Sequence, residues 1–376
     1  MAMRQSVPPA GQLRAIGIWL LAVAGLVFVM IVLGGVTRLT ESGLSMVEWR
    51  PVTGWLPPLS MEGWERAFAA YKAFPEYQKV NAGMSLSAFQ TIYWFEYSHR
   101  LLGRFIGLAF AVPFLVFLLR RAVPGWLVPR LAGLLLLGGL QGAVGWFMVQ
   151  SGLVDRPDVS QYRLAMHLGL AFLIFGALLW TALSCLRPPA QRPMAELQPR
   201  GPVVLAAALL ALVFLQVLAG ALVAGLNAGM TYNTWPLMDG RLIPAGLGLL
   251  SPWWLNLFET VTTVQFQHRC LGYLILLGAA LLWLQALRIR RRGGTVAGGA
   301  GLVLVAVILQ ILIGIVTLLL VVPVPVAAVH QAGAVAVVAL LVGHLHDLVH
   351  PAAAAAPLPA SGRAPHGSKA EAPADG

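Results

Sequence analysis

A chain of 376 residues that is 59% hydrophobic and only 10% charged, with mean hydropathy +0.79, falls far below the roughly one-quarter charged content of soluble domains. That excludes a water-soluble enzyme and indicates an all-α integral membrane protein, because helices satisfy their own backbone hydrogen bonds in lipid. The net charge of +11 would suit a nucleic-acid binder, but the arginines recur in alternate loops, which is a membrane-topology signature and speaks for no nucleic-acid partner.

In chain order, residues 1–15 form a short basic segment holding Arg4 and Arg14. The apolar run 16–37 approaches the roughly 20 residues needed to span a bilayer and lacks a small-residue cleavage site, so it reads as a first span rather than a signal peptide. A long loop, 39–90, carries Trp, Pro and Gly. Spans are then predicted at 91–119, 131–150 and 162–186, with Arg120, Arg121 and Arg130 between the first two of these. A linker at 187–202 holds Arg187, Arg192 and Arg200. Spans follow at 203–226, 259–287, 298–321 and 325–348, with a shorter loop at 227–258 and Arg288, Arg290, Arg291 and Arg292 after the sixth. The stretch 349–376 is Ala/Pro-rich and reads as a disordered tail. Arginine-bearing loops on one side place both termini in the cytoplasm. Membrane lipid is therefore one partner, and the bacterial inner (cytoplasmic) membrane is the expected location. The two cysteines, Cys185 and Cys270, lie in or at the end of spans, so no disulfide framework supports the outer loops.

The eight spans are two copies of four. Glu96-Tyr97-Ser98-His99-Arg100-Leu101-Leu102-Gly103 corresponds to Gln265-Phe266-Gln267-His268-Arg269-Cys270-Leu271-Gly272 at an offset of 169 residues. The same offset relates Gln141-x-x-x-Gly145 to Gln310-x-x-x-Gly314, whereas His167 and His330 are offset by 163. In the first span of each half, Gly34-Gly35 aligns with Ala219-Gly220, an offset of 185, which makes the second outer loop 16 residues shorter. Four spans per half is an even number, so both halves enter the membrane in the same sense, related by an axis along the membrane normal. The expected architecture is two tandem pseudo-symmetric four-helix bundles, 16–186 and 203–348.

Four histidines, His99, His167, His268 and His330, lie within the first ~5–12 residues of even-numbered spans, roughly 8–18 Å below the outer surface at 1.5 Å per residue. One histidine in a span could be a hydrogen-bonded packing residue; four at matched depth, in repeated pairs, point to function. Two imidazoles facing across a four-helix bundle suit bis-His ligation of a b-type haem. Zinc fits less well, since it takes three or four ligands and no carboxylate accompanies the second pair. No Cys-x-x-Cys-His is present for covalent haem attachment. Gly103, Gly107, Gly145, Gly169, Gly272, Gly314 and Gly333 either make room for a flat macrocycle or allow close helix packing. Glu96 stands where the other half has Gln265, so the first half is marked for chemistry and the second for holding a cofactor; a salt bridge to Arg100 or Arg104 is the structural alternative. Arg100 and Arg269 either meet haem propionates or snorkel to the interface. His344, His346 and His350 end the last span without a counterpart in the repeat.

Gly34-Gly35-Val36-Thr37-Arg38-Leu39-Thr40-Glu41-Ser42-Gly43-Leu44-Ser45, the Glu96–Arg100 segment, and Ala228-Gly229-Met230-Thr231-Tyr232-Asn233-Thr234-Trp235-Pro236-Leu237-Met238 together resemble the haem A synthase family, over about residues 15–350. The likeness is strongest to the alphaproteobacterial and mitochondrial subgroup. The resemblance implies oxidation of the C8 methyl of haem O to a formyl group, giving haem A for terminal oxidases. It implies a resident haem b on His268 and His330, substrate haem O on His99 and His167 with Arg100 as a further contact, and Glu96 as the catalytic residue. Some members carry cysteine pairs in outer loops; this chain has none there, so a thiol–disulfide step proposed for those members cannot operate. Electrons would enter through haem b and cross the bundle interface, and the methyl would pass through alcohol and hydrated-aldehyde levels, with Glu96 handling a proton or stabilising charge. Haem O synthase, cytochrome oxidase assembly factors and an unidentified electron donor are the implied partners, and a homo-oligomer stays open. The rival readings are a di-haem electron relay of the quinol-oxidising cytochrome b class and a haem transporter or chaperone without chemistry.

Overall fold

A computed structural model describes residues 10–49, 53–152, 159–187, 200–291 and 298–350. The expectations for Arg4, for most of the 187–202 linker including Arg192, for Arg292 and for the tail beyond residue 350 lie outside the described residues.

Eleven α-helices occur among these residues: α1 (Ala10–Leu39), α2 (Met61–Lys72), α3 (Pro75–Lys79), α4 (Leu86–Leu119), α5 (Val128–Gly152), α6 (Gln161–Leu186), α7 (Arg200–Gly225), α8 (Asn256–Glu259), α9 (Val261–Arg291), α10 (Ala300–Leu319) and α11 (Val324–Val349). Eight of them, α1, α4, α5, α6, α7, α9, α10 and α11, are long and apolar enough to cross a membrane. No strand forms among the described residues; one isolated bridge joins Met238 and Arg241. The helix starts follow local chemistry. Ser85 accepts a hydrogen bond from the Ala88 amide at 3.2 Å to cap α4, and Pro325 sits in the first turn of α11, where a missing N–H leaves no bond unmade.

Each half closes into a ring. In the first, α1 and α5 both pack against α4 and α6; in the second, α7 and α10 both pack against α9 and α11. The halves meet through their first and fourth spans, α6 on α7, α1 on α11, and α6 on α11. This is the pairing that a two-fold axis along the membrane normal produces, because exchanging the halves maps the α1–α11 contact onto α7–α6. Ile16 and Leu20 of α1, Leu178 of α6, Ala206 and Leu209 of α7, and Val335 and Leu341 of α11 are buried in the continuous core. The outer surfaces of α4, α5 and α10 keep large apolar side chains exposed, among them Leu119, Leu136 and Leu302, as lipid contact requires.

Four elements depart from the sequence expectation. The loop 39–90 contains α2 and α3, and together with the first turns of α4 it forms a small core of Phe68, Tyr71, Phe89, Tyr93 and Tyr97. Phe68 stacks on Phe89 with ring centroids 4.9 Å apart. Burial pushes the Tyr71 phenol above its ordinary pKa, and its oxygen accepts a hydrogen bond from Asn81 Nδ2 at 2.8 Å. Helix α4 consequently starts at Leu86 rather than 91, since Phe89 is held in that outer core. Helix α1 starts at Ala10, six residues before the expected boundary, and the extended Thr260 separates α8 from α9, so the sixth span begins at Val261.

Candidate functional site

Helices α4 and α6 stand at diagonal corners of the first ring, as α9 and α11 do in the second. His99 and His167, and likewise His268 and His330, therefore enter each bundle from opposite corners. All four are partly accessible. Each imidazole rests on a glycine of a neighbouring helix. A β-carbon at Gly34 would stand 3.1 Å from His99 Nε2, one at Gly145 2.9 Å from His167 Cε1, one at Gly220 3.2 Å from His268 Cε1, and one at Gly314 2.7 Å from His330 Cε1. Any larger residue would press on the ring.

Four positions before three of these glycines stands a glutamine. Gln141 Nε2 donates to the backbone carbonyl of His167 at 3.1 Å and lies 3.2 Å from its Nδ1. Gln310 Nε2 donates to the carbonyl of His330 at 2.7 Å and lies 3.2 Å from its Nδ1. Gln216 Nε2 donates to the carbonyl of His268 at 3.0 Å and lies 3.3 Å from its Nε2. The repeated Gln-x-x-x-Gly motif is thus a histidine seat. Two copies recur in the sequence repeat; the third, Gln216-x-x-x-Gly220, does not, because its counterpart in the first half is Met30-x-x-x-Gly34.

These contacts also correct the register of the first spans. Gly34 and Gly220 play the same part, and Gly103 faces Met30 as Gly272 faces Gln216. Both relations give an offset of 186, since 220 − 34 and 216 − 30 agree, rather than 185. The second outer loop is shorter by 17 residues, not 16. The other glycines divide by role: Gly333 accommodates the Gln310 side chain, Gly169 abuts Leu218, and a β-carbon at Gly107 would meet nothing within 4 Å.

Glu96 and Gln265 occupy equivalent places and do equivalent work with opposite polarity. Glu96 is buried; its Oε2 accepts from Ser45 Oγ at 2.7 Å and the Met46 amide at 2.5 Å, and its Oε1 forms a salt bridge with Arg100. Arg100 also donates to the carbonyls of Met46 and Glu48, each at 2.8 Å. In the second half, Gln265 Nε2 donates to the carbonyls of Ala228 at 3.1 Å and Tyr232 at 3.3 Å, and Arg269 donates to that of Tyr232 at 2.9 Å. Both pairs clasp an outer loop to the bundle. The salt bridge to Arg100 that the sequence left as an alternative for Glu96 is present.

At the opposite membrane end, His344 and His346 are buried in packing: Ser184 Oγ lies 3.2 Å from His346 Nε2, and the His346 ring contacts Trp180 edge-on at 5.0 Å. His350 lies against the same cluster. They do not join the four seated histidines.

The residues present fit a bis-His haem. Each bundle offers two diagonal imidazoles with glycine backbone beneath them, and Nδ1 of His268 is buried with no hydrogen-bond partner. Beside it, Nε and Nη1 of Arg269 are likewise buried and unsatisfied, a donor set suited to a propionate.

The fold and the site together define a class: a polytopic α-helical membrane protein of two like bundles, each with a histidine pair in its interior. The chain belongs to the COX15-CtaA family of cytochrome oxidase assembly proteins, whose family model matches residues 17–342. It is 55% identical over 335 residues to a haem A synthase of Parvibaculum lavamentivorans, covering 89% of this chain and 94% of that protein. It is 52% identical to the haem A synthases of Nitrosospira multiformis, covering 85% of this chain and 90% of that protein, and of Azorhizobium caulinodans, covering 92% and 98%.

Proposed function

We propose that this protein is a haem A synthase, an oxidoreductase that converts the C8 methyl of haem O to a formyl group. The observation that carries the reading is the duplicated pair of seated histidines, one pair accompanied by a carboxylate, in a chain matching haem A synthases over about nine-tenths of its length. His268 and His330 would hold a resident haem b, in the bundle 203–348, and His99 and His167 the substrate haem O, in the bundle 16–186. A haem b bound there supplies a one-electron relay. Arg269 and Arg100 stand beside the respective histidines as cations for propionates; Arg100 is already committed to Glu96 and the Met46–Glu48 backbone.

Glu96 is assigned to the substrate half as the residue that handles a proton or balances charge during methyl oxidation. Its partners define what this requires. The Ser45 hydroxyl and the Met46 amide both donate to Oε2, so the carboxylate and the outer loop 39–49 are fastened together as one unit. The same loop keeps bulk water off the carboxylate, which is 2% exposed. Family membership places the activity in cytochrome oxidase assembly in a membrane. Haem O synthase as upstream partner, an electron donor and the bacterial inner membrane with both termini cytoplasmic complete the proposal.

The deciding experiment is conversion of haem O to haem A by purified protein, with pigment extraction before and after. A synthase yields haem A and copurifies haem O or A with haem B. Extraction of haem B alone, with no conversion, would replace the proposal with an electron relay, and binding of haem O without conversion would replace it with a carrier.

A further inference from the structure

We propose that the residue four positions before each seat glycine sets how firmly its histidine holds iron, and that Met30 makes His99 the releasable ligand of the substrate site. This rests on the reading that the four histidines ligate haem. Gln141, Gln216 and Gln310 are positioning residues; each reaches from a neighbouring helix to the backbone carbonyl of a histidine and lies within 3.2–3.3 Å of its ring. That ties the turn bearing the imidazole to the adjacent helix. In all three the other end of the amide, Oε1, is buried without a hydrogen-bond partner. An orphaned buried acceptor is costly, and here the cost recurs at three related positions, each beside an imidazole. Outer-shell partners that fix the orientation of a ligating histidine tune its hold on metal, and the Nε2-to-carbonyl tie is such a partner.

The fourth seat differs. Met30 occupies the position of Gln216, as the paired contacts to Gly103 and Gly272 show. A thioether donates nothing and accepts weakly. It cannot tie down the His99 carbonyl. The second half therefore has two amide-seated histidines, as a resident cofactor needs, whereas the first has one such ligand, His167, and one held by packing alone. A substrate haem that must enter, and a product that must leave, would exchange on the His99 side.

The test uses the full-length protein in nanodiscs, loaded with haem O and haem B, with transfer of each haem to excess apomyoglobin followed by pyridine haemochrome spectra. Met30→Gln is expected to slow haem O transfer by about ten- to a hundredfold, the scale of outer-shell effects on metal affinity, with haem B transfer unchanged. Met30→Leu, which keeps the size without an amide, should leave the haem O rate at the wild-type value. Gln216→Met should speed haem B loss by a similar factor. Equal haem O transfer from Met30→Gln and wild type overturns the proposal, as does an equal slowing by Met30→Leu, which would mean packing sets the rate. Should His99→Ala retain haem O or His268→Ala retain haem B in the same assay, the ligand assignment itself falls, and the seat rule with it.

Discussion

At the scale of single residues, the informative contrast is between Glu96 and Gln265, two side chains at one position of a repeat with opposite hydrogen-bond polarity. Glu96 gathers an arginine, a hydroxyl and an amide, whereas Gln265 donates to carbonyls. Because Glu96 and Arg100 are both buried, Glu96→Gln leaves a guanidinium without its carboxylate, a loss of about 3–5 kcal/mol by analogy with other broken buried pairs. The expected outcome is loss of haem O conversion, with haem B still present in the extracted pigment. Adding Arg100→Met removes the stranded charge, so the double variant should recover stability without recovering activity. If Glu96→Gln converted haem O at the normal rate with both haems bound, Glu96 would be a loop clasp and nothing more. The glycine seats give a second prediction. Gly314→Ala would put a β-carbon 2.7 Å from the His330 ring and should strip haem B from the purified protein, whereas Gly107→Ala, with open space around it, should leave haem content unchanged.

At the scale of elements, what could be read from the sequence followed the size of the signal. Eight spans are legible because each carries an apolar run close to the thickness of the hydrocarbon; their ends shift by a few residues where a cap or an adjoining cluster decides the boundary, as at Ser85 and Phe89. The four histidines are legible because they recur. Gln216 and Met30 were not, since an amide facing a thioether breaks the identity on which detection of a repeat depends. The outer core of α2, α3 and the start of α4 was hidden for a different reason: short helices of mixed composition show no long period, and their stability comes from aromatic contacts between segments distant in sequence. That core should be separable from the membrane part. Phe89 is fully buried against Phe68, Tyr71 and Tyr93, so Phe89→Ala should cost about 3–5 kcal/mol. The cost would appear as faster proteolysis within residues 61–79, while the membrane spans stay protected and haem B stays bound.

At the scale of the whole molecule, the two-fold arrangement and the arginine distribution have to agree, and their agreement makes the orientation in the membrane testable. Eight spans put the start of α1 and the end of α11 on one side, together with the turns before α5 and after α9. Arg120, Arg121, Arg130, Arg288, Arg290 and Arg291 all fall on that side, the pattern of cytoplasmic loops. The aromatic outer core, the clasped loops and the histidine-bearing helix starts then face the other way, so haem would be handled in the outer half of the membrane. Cysteine labelling in intact spheroplasts tests this directly, since the native Cys185 is buried and Cys270 is only partly accessible within a span. With both native cysteines replaced by serine, Arg66→Cys, on the exposed face of α2, should react with a membrane-impermeant maleimide from outside. Arg290→Cys, exposed at the end of α9, should react only after lysis. The reverse pattern would invert the molecule and place the histidine pairs near the cytoplasmic surface. Its electron donor would then have to reach haem from the cytoplasm, and the positive-inside reading of these arginines would be wrong.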